Sequence, residues 1–136
     1  MSVLGIDPGK TTGVVALADD GTLIDQGDFT PVGALSLVEA FTLQGGDRRV
    51  AIESFRVFPR YSSGVANTTA LELIGAIKYL CLRNHVRLCL IAPGVHKGFK
   101  GIVFPAEVHF TKHAKDAYSV AYWALKFGKF QVVADF

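Results

Sequence analysis

Two acidic residues stand directly after short apolar segments, where a carboxylate could take part in chemistry. Asp7 closes the segment SVLGI, and Glu53 closes the segment RRVAI. Taken singly, an acid in such a position is typical of a turn or a helix cap. Two carboxylates brought close together raise each other's pKa unless a cation lies between them. Because oxygen ligands suit ions such as Mg²⁺, the pair indicates a metal site if the two segments are neighbours.

A third acid occurs in the last helical segment, HAKDAYSVAYWAL. His113 and Asp116 are three residues apart and share one helical face, whereas Ala117, Ala121 and Ala124 form a small-residue stripe that allows close approach to a sheet. A charge on the sheet-facing side needs a partner. The alternative is a solvated first turn, favoured there by the helix dipole.

The segment PGKTTG raises the alternative of a phosphate-binding loop. The motif G-x-x-x-x-G-K-[ST] would place its first glycine at position 4, which is Leu4. The residues after Lys10 are β-branched and include Gly13, which favours a strand over the required helix. The sequence therefore predicts no nucleotide cofactor.

The elements that would carry these residues follow a simple order. Three strands form a meander with a turn at Asp19-Asp20-Gly21, followed by helix, strand, helix, strand and helix. The segments are SVLGID, GVVALAD, TLIDQGDFT, PVGALSLVEAFTLQ, RRVAIES, a helix from Thr69 to about Asn84 opened by a Thr69–Glu72 capping box, VRLCLIA before Pro93, and KHAKDAYSVAYWALKF.

This β-β-β-α-β-α-β-α order predicts an α/β fold with a five-stranded mixed sheet flanked by helices, in one domain covering residues 1–136. Right-handed crossovers would make both helix-linked strands parallel to the first. The first and fourth strands can then be neighbours, so that Asp7 and Glu53 lie side by side.

The composition limits the class of protein. No apolar stretch has the length of a membrane span, and the N-terminus lacks the features of a targeting signal, so we expect a soluble cytoplasmic protein without a membrane partner. Cys81 and Cys89 lie in apolar segments without metal-type spacing, which predicts buried free thiols.

The charge is unevenly distributed along the chain. Residues 1–53 hold eight acidic and three basic residues, whereas residues 54–136 hold four acidic and eleven basic ones, so the second half is cationic. The lysines toward its C-terminal end are Lys97, Lys100, Lys112, Lys115, Lys126 and Lys129. A polyanionic partner and a lysine-rich solvated face both explain this pattern.

The segments GIDPGKTTG, AIES and HAKDAYSVAYWAL, in this order and spacing, resemble the RuvC family of Holliday-junction resolvases, which has the RNase H-like fold. The resemblance covers nearly the whole chain. It implies that Asp7, Glu53 and Asp116 are the catalytic acids, and that His113 takes a fourth ligand position held by an acid in some members and a histidine in others. Asp7 would then bridge two ions, with Glu53 on one side and Asp116 with His113 on the other.

The activity that the resemblance implies is hydrolysis of a DNA phosphodiester by activated water, with two Mg²⁺ or Mn²⁺ ions. Its members act as homodimers that cut two opposed strands of a four-way junction, and a compact chain suits a bacterial cell or a phage-infected host. One departure concerns the aromatic residue that members carry three residues after the second acid, since that position is Arg56 here. The flanking Phe55 and Phe58 could wedge into the junction or pack under their loop. The residues predicted to contact DNA are Phe55, Arg56, Phe58, Arg60, Lys97, Lys100, Lys112 and Lys115.

Three other functions remain open at this stage. A related nuclease acting on structured RNA or on flap and fork DNA would share the metal ligands. The ATPase fold of sugar kinases and heat-shock chaperones also opens with a Gly-Ile-Asp-x-Gly strand, but it needs two such domains and phosphate loops. A DNA-binding module without catalysis would have little use for the acids.

The predicted second helix indicates how the chain could assemble. Its apolar residues cover more than one core-facing stripe, and Gly75 would permit close approach of a second helix. Leu71, Ile74 and Cys81 lie on one side, and Leu73, Ile77 and Leu80 lie on another. We therefore expect a two-fold dimer with this helix at the interface.

Overall fold

A computed structural model describes residues 2–54, 65–92, 94–96 and 101–135, with only the backbone of 65–67 and 135. The strands are β1 (Ser2–Asp7), β2 (Thr12–Ala18), β3 (Leu23–Phe29), β4 (Arg48–Glu53) and β5 (Arg87–Ile91). The helices are α1 (Pro31–Leu43), α2 (Val65–Arg83) and α3 (Lys112–Phe127), and a 3-10 turn covers Val133–Asp135.

The described strands form one five-stranded mixed sheet in the order β3-β2-β1-β4-β5. The three strands of the meander pair antiparallel, and β4 is parallel to both β1 and β5. Ile6 of β1 lies opposite Ile52 of β4, so the next residue of each strand emerges at the same edge of the sheet. The predicted α/β class, strand number and adjacency of the first and fourth strands are confirmed.

Both faces of the sheet are buried, because β1, β4 and β5 alternate their apolar side chains between two layers of helices. Leu4, Ile6 and Ile52 pack with α1 and α2 on one face. Val3 and Ala51 pack with α3 on the other. A residue that follows Ile6 or Ile52 therefore faces α3, and this places the carboxylates after both isoleucines on the α3 side.

Local signals explain the start of α1 and the turn between β2 and β3. Thr30 caps α1 by accepting the Gly33 N–H, and Pro31 occupies the first turn. The predicted hairpin turn is present, since Gly21 has φ +88° and its N–H donates to the Ala18 carbonyl. The thiols of both cysteines are free and buried, as expected.

The second helix differs from the prediction in two ways. The helix covers Val65–Arg83, so the predicted Thr69–Glu72 capping box lies inside it rather than at its start. The sequence allows this earlier start, because no residue between Gly64 and Thr69 breaks a helix. Because α2 packs against both the sheet and α1, five of its six predicted interface residues are buried in the core instead, namely Leu73, Ile74, Ile77, Leu80 and Cys81.

None of the described helices is both long enough and apolar enough to cross a membrane.

Candidate metal centre

Asp7 and Glu53 end neighbouring parallel strands on the α3 side of the sheet. Asp7 is the last residue of β1, and Glu53 is the last residue of β4, where it lies opposite Ile91 of β5. The side chain of Asp7 is 14% exposed and that of Glu53 is 5% exposed. Two carboxylates with so little access to water require compensation by hydrogen bonds or by a cation.

The ionisation of Asp7 records this crowding. Burial raises its pKa to about 6, and the negative charges of Glu53 and Asp116 contribute to the increase. The interaction with His113, whose Nδ1 lies 3.6 Å from Asp7 Oδ2, lowers the pKa in part. Asp116 and His113 therefore act on Asp7 from α3, while Glu53 acts on it from β4.

The first turn of α3 is held over the sheet by β2 and β3. A Cβ at Gly13, opposite Asp7 on β2, would overlap the carbonyl of His113. Thr111, the N-cap residue of α3, makes no side-chain cap to the helix. Asp28 of β3 supplies the cap instead, because its Oδ1 accepts from the Ala114 N–H at 2.9 Å and from the Thr111 hydroxyl. This junction determines where His113 lies relative to Asp7.

A histidine that was not among the predicted site residues also reaches this site. His96 is fully buried, and its Nε2 lies 3.0 Å from Oε2 of Glu53. In sequence it is a lone histidine in the segment GVHKG, which has no periodic pattern. The one available signal was indirect, since a buried Glu53 requires a hydrogen-bond donor.

The side chains that converge here have the chemistry of a divalent-cation site. Three carboxylates and an imidazole suit Mg²⁺ or Mn²⁺, and a cation would relieve the charge repulsion that raises the Asp7 pKa. Within the described residues, no three His, Cys, Asp or Glu side chains are grouped closely enough to enclose an ion by themselves. Mg²⁺ retains several waters and uses substrate phosphate oxygens, so a looser carboxylate set is compatible with it.

The predicted DNA-contacting residues are described only in part. Lys112 is exposed on the first turn of α3, and Lys115 places its Nζ 5.1 Å from the centre of the Phe104 ring. Both lie on the helix that carries His113 and Asp116. Six predicted contacts lie outside the described residues: Phe55, Arg56, Phe58, Arg60, Lys97 and Lys100.

The segment once considered as a phosphate loop has a different geometry. β2 begins at Thr12, where a P-loop would continue into a helix, and Lys10 is exposed. Thr12 is fully buried, and its hydroxyl donates to the Gly9 carbonyl at 2.9 Å. The turn therefore connects two strands and orients the end of β1.

Comparison with known proteins relates this geometry to solved structures. No sequence-family model and no curated protein matches the sequence. Thermus thermophilus RuvC in complex with a Holliday junction substrate matches with a TM-score of 0.65 and 17% identity, covering 96% of this chain and 99% of that one. The chain has the RuvC fold. A second structure of Thermus thermophilus RuvC gives a TM-score of 0.64 at 18% identity, covering 96% of this chain and all of the other.

The RuvC likeness extends over the sheet and its helices, since almost all of each chain is matched. The predicted RNase H-like fold is therefore confirmed. The RuvC fold brings four of the predicted site residues to one end of the sheet, namely Asp7, Glu53, His113 and Asp116. A cavity of about 260 Å³ between α1 and β1–β3 contains none of them, because Leu4, Val14 and Phe41 line it on the opposite face.

Proposed function

We propose that this chain is a metal-dependent endonuclease that resolves four-way DNA junctions by hydrolysing phosphodiester bonds. The observation that carries the proposal is the convergence of three carboxylates on one end of a RuvC-fold sheet, with the Asp7 pKa raised by burial and by Glu53 and Asp116. One of the similar structures, Thermus thermophilus RuvC, holds a Holliday junction substrate, which supports branched DNA as the substrate class.

In this proposal two Mg²⁺ or Mn²⁺ ions would be held by Asp7, Glu53, Asp116 and the imidazole of His113. When bound, such ions activate a water molecule and neutralise the charge that develops on the phosphate and on the leaving oxygen. Asp7 has the central role, because it interacts with the other three residues.

The rest of the chain orients these ligands and the DNA. The cap that Asp28 gives to α3 sets the position of His113 beside Asp7. Lys112 and Lys115 lie near the start of α3, beside His113. They would bind backbone phosphates and so position the DNA without reading its sequence. Buried β1 and β4 keep the two strand-end carboxylates in a fixed relation.

The direct test is cleavage of a mobile four-way junction by the purified full chain, with Mg²⁺, with Mn²⁺ and with EDTA. Asp7→Asn, Glu53→Gln and Asp116→Asn should each reduce cleavage to below about one hundredth of wild type, because loss of a ligand exceeds the effect of losing its supporting contacts. Junction binding should persist, since each change removes negative charge from a DNA-facing surface. Asp25→Asn, on the exposed part of β3, is the matched control.

The substrate panel separates the proposal from its alternatives. Matched flap, fork and linear DNA and a structured RNA are compared with the junction under one condition. Faster cleavage of RNA or flap DNA would replace the junction as substrate while retaining the metal site. Normal turnover by any of the three ligand variants would refute the site itself, and binding without cleavage by the wild type would indicate a DNA-binding module.

A further inference from the structure

His96 inverts the usual relation between polarity and burial. It lies in the turn 94–96, where Val95 is 43% exposed and Gly94 is exposed, yet His96 itself has no exposure. Burial of an imidazole costs free energy unless its nitrogens are hydrogen-bonded. An apolar residue facing solvent beside a polar residue facing inward indicates that a specific contact holds this turn.

The contact is made with Glu53. Nε2 of His96 and Oε2 of Glu53 are 3.0 Å apart, and the Glu53 side chain is only 5% exposed. An ionised carboxylate can only accept, so opposite an ionised Glu53 the Nε2–H tautomer of His96 would donate this hydrogen bond. Nδ1 of His96 is buried and has no hydrogen-bond partner within the described residues. Among the described residues, the hydrogen bond to the Glu53 carboxylate is therefore the one made by the ring nitrogens of His96.

We infer that His96 is a positioning residue for Glu53, an inference that rests on the proposed metal-dependent function. By binding Oε2, the imidazole would restrict rotation of the carboxylate, and Oε1 would remain available to ligate a metal ion. A glutamate has three side-chain torsions, and an unrestrained one would lose that freedom only when it ligates a metal. Hydrogen-bonding partners of this kind orient metal ligands and raise their affinity.

The first test compares two unbranched side chains of similar size at this position. Glutamine keeps an N–H donor close to the position of Nε2, whereas methionine fills the same space without a donor. His96→Met should weaken Mn²⁺ binding by about 10–100-fold, and His96→Gln should remain close to wild type. Mn²⁺ binding is measured on the DNA-free protein by calorimetry and by electron paramagnetic resonance.

Cleavage kinetics provide a second readout. If His96 acts only by orienting Glu53, saturating Mn²⁺ restores the cleavage rate of His96→Met, while its half-saturating Mn²⁺ concentration stays high. A residue that merely fills the core would not change the metal requirement in this way. Wild-type Mn²⁺ affinity in folded His96→Met, or equal impairment in His96→Gln, would overturn the inference.

A measurement on the wild-type chain covers the case in which His96→Met does not fold. With ¹⁵N-labelled histidine, the His96 resonances should report the Nε2–H form and should shift on titration with Mg²⁺ while keeping that proton. No shift at saturating Mg²⁺ would separate His96 from the metal centre. Loss of the Nε2 proton would make His96 a ligand and would equally refute a positioning role.

The two proposals fail differently. Absence of metal binding and of branched-DNA cleavage in the wild type would remove the proposed function, and the His96 inference with it. A wild-type enzyme that binds Mn²⁺ and cuts junctions, together with His96 variants unchanged in Mn²⁺ affinity, would remove only the role of His96.

Discussion

At the scale of single residues, Asp7 is a carboxyl that folding places in an unfavourable environment for its charged form. Its pKa rises from 3.8 to about 6, first through burial and then through Glu53 and Asp116. A carboxyl whose pKa rises on folding binds its proton more tightly in the folded state. Its contribution to stability is therefore fully present below the unfolded value of 3.8 and is lost as the pH rises through about 6.

The metal-free protein should accordingly be stabilised by Asp7→Asn at neutral and alkaline pH. At about pH 8 the free energy of unfolding should increase by up to about 3 kcal/mol, and below about pH 3 the variant and wild type should be equal. Urea denaturation in EDTA measures both. Added Mg²⁺ should stabilise the wild type but not the variant. A constant difference between the two proteins across this pH range would show that Asp7 is not the group responsible.

The residues of the site differ in how far the sequence could reveal them. Asp7 and Glu53 were visible because each follows an apolar run that predicts a strand, and strand order then places them together. His96 was not, since its burial depends on how the turn 94–96 meets the end of β4. No periodicity in one short loop encodes that approach.

At the scale of elements, the position of α3 depends on contacts that are remote in sequence. A Cβ at Gly5 would lie 2.6 Å from the Ala121 Cβ and from the Ala117 carbonyl oxygen, so the small-residue stripe does face the sheet as predicted. Asp28 caps the helix from a strand 86 residues earlier. The small-residue stripe could be predicted from its spacing in the sequence. The Asp28 cap could not, because Asp28 and Ala114 are 86 residues apart.

The Asp28 cap gives a prediction for the stability of the folded chain. Asp28→Ala should reduce the free energy of unfolding by about 1–2 kcal/mol, because it leaves the Ala114 N–H without its acceptor. Asp28→Asn retains an acceptor oxygen and should lose less than half of that. Asp25→Ala on the same strand is the control, since Asp25 Oδ1 accepts only from its neighbour Gln26 N–H among the bonds described. Equal losses in all three variants, by urea denaturation, would argue against the cap.

At the scale of the whole molecule, the exposed side of α2 is an apolar surface suited to self-association. The core takes five of the six residues first predicted for the interface. The sixth, Leu71, remains 37% exposed, as do Tyr79 at 59% and Leu82 at 47%. A Cβ added at Gly75 would meet no atom within 4 Å. These four residues follow one another at spacings of three and four, which is the pattern of a helix–helix seam. The sequence showed that α2 is apolar on two sides, but only the packing of α1 decides which side stays exposed.

We expect a two-fold dimer through this face of α2, which would present two cleavage sites to opposed strands of a junction. Tyr79→Lys or Leu82→Lys should yield monomers in sedimentation velocity at micromolar concentration and should uncouple the two cuts. Val32→Lys, which changes an exposed apolar residue of α1, should stay dimeric. A wild-type monomer that still makes paired cuts, or a dimeric Leu82→Lys, would contradict this arrangement.

The two edge strands of the sheet, β3 and β5, both have features that disfavour pairing with a second copy of the chain. On β5, both backbone hydrogen-bonding groups of Leu88 are occupied by Gln131, so the C-terminal segment covers part of that edge. On β3, pairing with β2 shifts register after Ala16, and the strand carries Asp25 and Asp28. Bulges and inward or outward charges at an edge disfavour further strand addition, since like charges of a second copy would meet there. Aggregation by strand addition is thus opposed at both edges of the sheet, and among the described residues the helices offer the surfaces better suited to close association of two copies.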